Sequence, residues 1–502
     1  MEIQVTAKSH RMLFLNTLAF TVCFAVWMFN GVMVTFLVDK GVFNWGPVQI
    51  GWLLGIPVLT GSLLRLPMGM LTDKYGGKWV FTLLLLFCAL PMYFLSSAND
   101  FTSFVLLSFG YGIAGTGFAV GIAYTSVWYP KEWQGRALGT FGIGNAGAAI
   151  TTLLAPTILN NLTKGGTDID QWRMLPKIYA AGLIVMALIF MIFSINKKPS
   201  TEARTMKQML KPLTNVRVWR FGLYYFLVFG CFVAFSQWLV PYFVNVYAAS
   251  LVIAGLFASL FSLPSGIIRA LGGWMSDKWG GRKVMRWVFE SSIVFSLLLI
   301  IPKMEVQTPG KGIQAAKNGK VAFVSDTLIK VDAKEYPVVK KKESLTTTEE
   351  LKNSVLPQKE SWQTPVVKEG DEVKKKQLIA QGITKINFEA NMWVYAILVL
   401  MIGIVWGIGK AGVYRFIPDY FPDYIGSVGG MVGVIGGLGG FICPIIFGYL
   451  LEWTGLWTSC WMFMFILSIV CFTWMQRVVR SIIQKQAPHL AEEMEHRNGD
   501  NH

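Results

Sequence analysis

Long apolar runs alternate with short polar ones along most of this chain. Twelve runs approach or exceed the length of about 20 residues that a membrane-spanning helix needs. They lie near 12–38, 48–72, 79–98, 101–129, 136–160, 174–195, 217–245, 251–276, 284–302, 392–417, 425–451 and 455–477. A charged link at 197–216 parts them into two groups of six. The pattern breaks at 303–391, a polar, Lys-rich stretch between the ninth and tenth runs. It holds short β-type runs, Val321–Val324 and Thr327–Val331, beside charge runs at Lys340–Lys342 and Lys374–Lys376. This segment reads either as a small β-rich domain or as a disordered loop. The expected architecture is an all-α membrane protein of twelve transmembrane helices in two pseudo-symmetric six-helix bundles. The first bundle is 1–196. The second is 217–302 with 392–480, interrupted by the insert and followed by a tail at 481–502.

Composition agrees, with 53% hydrophobic and only 15% charged residues. An even number of spans puts both termini on one side, and the distribution of Lys and Arg says which. Arg11, Lys74, Lys78, Lys131, Arg136, Lys278, Arg282, Lys283, Arg286, Arg477 and Arg480, with the basic link, fall on one side of the membrane. The short loops opposite carry only Lys40, Lys164 and Arg173. The termini are therefore expected in the cytoplasm and the insert outside. The net charge of +16 reflects this bias and the insert. No basic stripe with interleaved aromatics lies in a soluble domain, so nucleic acid is not an expected partner. All six cysteines fall inside apolar runs, and no metal spacing or disulfide framework is visible. No Ser/His/Asp or Cys/His constellation suggests an enzyme. No cofactor is expected, and the chain is expected to act as a monomer.

The candidate chemistry lies in an internal repeat. Arg65-Leu-Pro-Met-Gly69-Met-Leu-Thr-Asp73-Lys-Tyr-Gly-Gly77-Lys78 returns as Arg269-Ala-Leu-Gly-Gly273-Trp-Met-Ser-Asp277-Lys-Trp-Gly-Gly281-Arg282. Both arginines precede Gly by four and Asp by eight. At 1.5 Å per residue each guanidinium lies roughly 12 Å in from its helix end, near mid-membrane. An intramembrane arginine is costly and usually faces a cavity or a partner. A pair related by a repeat points to one anion held between two halves. The planar donor fork of arginine suits a planar oxyanion. Asp73, Lys78, Asp277 and Arg282, at the helix ends, are candidate gating charges that latch neighbouring helices in one state and release them in the other.

Two glycine stripes accompany the pair. The fifth span carries Gly142, Gly144, Asn145 and Gly147; the eleventh carries Gly433, Gly436, Gly437 and Gly440. Such spacing lets helix backbones approach closely. Asn145 differs, because an amide in a glycine stripe can donate to a substrate oxygen.

The two-times-six layout and the repeated Gly-x-x-x-Asp-Lys-x-Gly-Gly-Lys/Arg loop resemble the major facilitator superfamily. The arginine pair, both stripes and Asn145 resemble its nitrate/nitrite porter family, over all twelve spans but not the insert. The resemblance implies that Arg65 and Arg269 clamp nitrate, with nitrite a further substrate. It makes Phe118, Tyr225 and Phe229 slot-lining aromatics; on sequence alone the same rings could be core or lipid-facing. Val366–Ala380 also resembles half of a biotinyl/lipoyl-type β-sandwich, without the modified-lysine tripeptide. The expected location is the bacterial inner membrane.

Inward movement of an anion runs against a negative-inside potential, at about 2.3 kcal/mol per charge per 100 mV. Uptake therefore needs protons or a counter-anion. His10, His489, His496 and His502 lie at the termini, leaving Lys410 and Glu290 as proton-coupling candidates. Gly407-Ile-Gly-Lys410 resembles the proton-symporting subgroup, whereas the exchangers tend to carry Asn there. Lys410 could take a proton as nitrate arrives, or act as a fixed third cation. Glu290 could instead pair with Arg286. The expectation is nitrate uptake by proton symport through alternating access. Nitrate/nitrite exchange is the alternative, and a nitrate sensor with a transporter-like fold is a more distant one.

Overall fold

The computed structural model describes residues 5–198, 206–301, 304–341, 358–388, 391–421 and 424–486. The middle of the expected link, the stretch 342–357 of the insert and the tail beyond 486 lie outside these residues. The chain divides into two compact units, Met1–Ile300 with Leu398–His502, and Ile301–Ile397.

The first unit is helical throughout its described regular structure. Nine helices among the described residues are long and apolar enough to cross a membrane. Two bent pairs, Pro47–Leu63 with Arg65–Tyr75 and Leu251–Ile267 with Arg269–Trp279, raise the number to eleven when each pair is one span. The helix Gly281–Leu299 carries Arg282, Lys283, Arg286 and Glu290 in its first turns, and this charge separates the observed number from twelve. Burial ranks the spans. The most apolar window of Val216–Tyr247 is 94% buried inside the protein, and that of Ser459–Ser481 only 22%. The former is a central helix; the latter turns most of its apolar surface outward, as a lipid-facing helix does.

Two local features put the repeat to structural use. Gly76 and Gly280 end the two arginine-bearing helices at φ of 90° and 85°. A side chain there would be strained, so the first glycine of each Gly-Gly pair lets the chain turn straight into the next helix. At the other end, the paired helices bend by 41° and 43°, and Arg65 and Arg269 are the first residues after each bend. In the first copy Pro67 lacks the N–H that would bond Leu63 O, and its ring crowds that carbonyl. The second copy has Leu271 at the matching position, yet it breaks at Ile268, the counterpart of Leu64.

The second unit is a small β domain. Its three-stranded antiparallel sheet runs in the order β1 (Met304–Gln314), β7 (Leu378–Phe388), β5 (Gln358–Pro365). Its four-stranded sheet runs β4 (Lys334–Pro337), β3 (Leu328–Val331), β2 (Gly319–Val324), β6 (Glu372–Val373). Val321, Ile329, Val331, Val373 and Ile379 form its own apolar core. Met304 pairs with Phe388, so the unit begins and ends on neighbouring strands.

Candidate functional site

The two bends deliver two cations to one place. Arg65 is 3% exposed, and its Nη1 donates to Gly433 O of the helix Ile425–Thr454 at 2.8 Å. Its guanidinium carbon lies 5.5, 5.3 and 5.3 Å from the ring centres of Trp27, Phe118 and Phe229. That of Arg269 lies 5.6 Å from the same Phe118 ring and 5.7 Å from Tyr414. Both charges touch one ring, so they stand within about twice that distance of each other.

Among the described residues, Arg65 Nε and Nη2 and Arg269 Nη1 are buried without a hydrogen-bond partner. The surrounding rings offset part of the burial, each contributing about 0.5–2 kcal/mol. An unmet buried donor costs about 1–3 kcal/mol, more when charged. The ring contacts and the three unmet donors are of the same order, but the rings supply no hydrogen-bond acceptor, and the arrangement favours one that carries negative charge.

The aromatics come from different helices and from irregular turns. Phe229 lies in a single π-type turn, Phe226–Gly230, inside the long span Val216–Tyr247, a distortion common at functional sites. Tyr225 stacks on Phe229 at 4.9 Å and meets Tyr414 edge-on at 5.0 Å; Phe118 faces Phe229 at 6.4 Å. All of Phe118, Tyr225 and Phe229 are buried, and they form one wall beside Arg65.

Asn145 sits in a tight turn, Ile143–Ala146, and is fully buried. Its Nδ2 donates to Gly142 O at 2.8 Å, and its Oδ1 has no partner among the described residues. One amide hydrogen is thus held by its own helix and one remains.

The glycines are close-approach positions. A Cβ at Gly433 would lie 3.1 Å from Tyr414 Oη, and one at Gly437 3.0 Å from Ser62 Cβ and 3.3 Å from Arg65 Nη1. Gly144 and Gly147 admit Phe20 and Phe24, and Gly436 and Gly440 admit Tyr225 and Val233. Gly142 is looser, with Arg269 Cδ at 3.6 Å.

The halves meet unevenly along their length. On the side of the arginines away from Asp73 and Asp277, a Cβ on Gly55 would collide with Phe441 O, and one on Gly255 with Pro156. Toward those aspartates, added Cβ atoms at Gly69, Gly135, Gly139 and Gly273 would meet nothing within 4 Å. At these positions the contacts are tight on the far side and absent on the near side.

The remaining candidates divide. Lys410 is fully buried; its Nζ donates to Ser265 Oγ at 3.0 Å, lies 3.0 Å from the Phe232 ring centre, and is within electrostatic range of Arg269. Glu290 is half-exposed and accepts from Arg286 Nε at 2.8 Å, one helical turn away, so it stands apart from the arginine pair. Asp277 pairs with Arg415 at 3.0 Å, and Arg415 also holds Asp419 at 2.7 Å. Asp73 makes no ion pair among the described residues. Lys78 lies over the Trp79 ring, and Arg282 donates to the Tyr420 hydroxyl. Trp27, Ser62, Phe232 and Tyr414 were not singled out by sequence reasoning. Only Tyr414 carried a signal, one turn beyond Lys410 on the same helix.

A buried cation pair set among membrane-spanning helices is an arrangement that suits a membrane carrier. Comparison with known proteins places it. Residues 15–309 match the family model of the Major Facilitator Superfamily. The chain is 36% identical over 490 residues to the probable nitrate/nitrite antiporter NarK1 of Thermus thermophilus, covering 97% of this chain and 95% of that one. It is 28% identical over 292 residues to the nitrite extrusion protein of Bacillus subtilis (strain 168), covering 58% and 71%. The fold is similar to that of a bacterial homologue of the human lysosomal transporter Spinster, with a TM-score of 0.62, 12% identity, and 95% and 98% of the two chains covered. The chain belongs to the Major Facilitator Superfamily and is closely related to its NarK-type nitrate/nitrite transporters. It is a multi-pass membrane transporter and not an enzyme.

One expectation is corrected. The resemblance of the Lys410 segment suggested the proton-symporting subgroup, but the relative aligned over nearly the whole chain is named an antiporter. Among the described residues Lys410 sits against Ser265 and Phe232 with no carboxylate in contact, and Glu290 is paired with Arg286.

Proposed function

We propose that this protein exchanges nitrate for nitrite across a bacterial inner membrane. Arg65 and Arg269 hold the anion, the second amide hydrogen of Asn145 helps orient it, and Phe118, Tyr225 and Phe229 shape the slot. Lys410 acts as a fixed third cation behind Arg269. The observation that carries this reading is the set of partnerless guanidinium donors on two repeat-related arginines facing one ring.

Exchange also answers the energetic problem. Nitrate and nitrite each carry one negative charge, so a one-for-one swap moves no net charge and the membrane potential does not oppose it. The two halves form six-helix bundles, with Gly281–Leu299 supplying the twelfth span. The excess of Lys and Arg puts the termini and the Asp73 and Asp277 ends in the cytoplasm, and the β insert outside. Alternate opening of the two ends about the anion completes the cycle.

The test is counterflow in proteoliposomes. Labelled nitrate enters vesicles loaded with nitrite, stays out of vesicles without it, and does so regardless of an imposed proton gradient. Uptake into anion-free vesicles that follows the proton gradient would refute exchange.

A further inference from the structure

A second concentration of positive charge lies outside the central site, at the loop end of the second half. Arg220 is 8% exposed and has no hydrogen bond or ion pair among the described residues. Tyr224, one helical turn on, is 1% exposed, and its hydroxyl has no hydrogen-bond partner among them. Arg282 donates to the Tyr420 hydroxyl, and the guanidinium of Arg217 lies 5.2 Å from the Tyr420 ring centre.

Arg220, Tyr224, Arg282 and Tyr420 line one small, half-open pocket of about 20 Å³. The rest of its wall is apolar and includes Met475 and Val479 of the helix Ser459–Gln486. That helix is the least buried of the spans, so the pocket lies beside the lipid-facing surface. Nearby carboxylates are engaged: Asp277 and Asp419 both pair with Arg415. Among the described residues the cluster therefore holds arginines without a balancing acid, a buried hydroxyl without a partner, and an apolar rim.

We propose that this pocket binds a phosphate-type oxyanion. Arg220 and Arg282 clamp the oxygens through charge-assisted hydrogen bonds, and Tyr224 donates a further one. The phosphate comes from the headgroup of an anionic phospholipid or from free phosphate. The bound group ties the ends of the helices Val216–Tyr225, Gly281–Leu299 and Met392–Tyr420 together. The site is independent of what the central arginines carry.

The experiment is thermal unfolding of the purified full-length protein in nitrate-free buffer. The additions are phosphatidylglycerol, phosphatidylcholine, inorganic phosphate, and chloride at matched ionic strength. The expected result is a rise in Tm with phosphatidylglycerol over phosphatidylcholine, or with phosphate over chloride. The first alone identifies a lipid headgroup; the second identifies free phosphate. Arg220→Gln should weaken the apparent affinity at least about tenfold, and Tyr224→Phe, which keeps the packing, about threefold. Stabilisation by nitrate should persist in both, reporting an intact central site. The proposal is overturned if neither phosphate source exceeds its control. It is equally overturned if both variants bind as the wild type does; should Arg220→Gln fail to fold, wild-type affinity in Tyr224→Phe decides alone.

Discussion

Replacing Gly437 by alanine tests whether the glycine stripe shapes the anion site or only packs helices. The added Cβ would fall on Ser62 Oγ, 3.0 Å from Ser62 Cβ and 3.3 Å from Arg65 Nη1. The hydroxyl can rotate away, but Ser62 Cβ cannot move without its helix. Carbon contacts settle near 3.5–4.0 Å, so the helix Pro47–Leu63 must retreat by roughly 0.5–1 Å. Arg65, three residues on, moves with it and is also pushed directly. Overpacking of this kind costs about 1–3 kcal/mol. Alanine recovers up to about 1 kcal/mol of helix propensity, which offsets overall stability but not the displaced guanidinium. Assigned to binding, the cost corresponds to a KM raised roughly 5- to 150-fold. Gly142→Ala is the matched control, because its new Cβ would make only ordinary contact, 3.6 Å from Arg269 Cδ. The assay is initial rate of nitrate entry into nitrite-loaded vesicles against nitrate concentration, with Tm measured alongside. Wild-type KM in a folded Gly437→Ala protein, or equal damage from Gly142→Ala, would refute the reasoning.

Arg65→Lys keeps the charge but loses the donor fork, so KM in the same assay should rise about 10- to 100-fold with Tm changed little; unchanged transport would remove Arg65 from the clamp. Lys410→Gln should raise KM and leave the pH profile of exchange as it is in the wild type; a wild-type pH dependence that the substitution abolishes would show that Lys410 carries a proton after all. Asp277→Asn breaks the pair with Arg415, whose side chains are 72% and 39% exposed, so stability should fall by less than about 1 kcal/mol while the exchange rate changes; a large drop in Tm would show a structural rather than a gating role. Replacing 303–391 by a short linker should leave exchange intact, because Met304 and Phe388 are cross-strand neighbours and the cut ends lie close; loss of exchange would assign the insert to transport.

The parts legible in the sequence were those that repeat or carry charge. Arg65 and Arg269 stood out because a cation recurs at one spacing inside apolar runs, and the Arg286–Glu290 pair could be read from its spacing of four. The Gly-Gly pairs were visible, though not that Gly76 and Gly280 take positive φ. What failed was whatever depends on distant spans meeting. Trp27 and Phe232 look like any membrane aromatic until Arg65 and Lys410 are found against them. The sequence treats Asp73 and Asp277 alike, yet among the described residues Asp277 pairs with an arginine, Arg415, and Asp73 does not. Asn145 looked free to donate, whereas its own turn takes one of its hydrogens. The Lys410 motif suggested a mechanism from one segment, while the comparison over the whole chain favoured another.

The charges of the site give a reason for exchange that does not depend on any relative. Two like charges about 10 Å apart repel by about 1.7 kcal/mol at an effective dielectric constant near 20. Sealing them from water adds several kcal/mol per ion. A monovalent anion midway between them, about 5 Å from each, contributes about 3 kcal/mol of attraction per contact on the same scale, enough to reverse the sign of the pairwise sum. A carrier that returned unloaded would need an acid to take the anion's place. Neither guanidinium has an Asp or Glu in ion-pair contact among the described residues, and Glu290 is committed to Arg286. If Arg65 and Arg269 form the proposed clamp, the halves close readily around an anion and poorly without one, and a carrier of that kind moves an anion on both legs of its cycle.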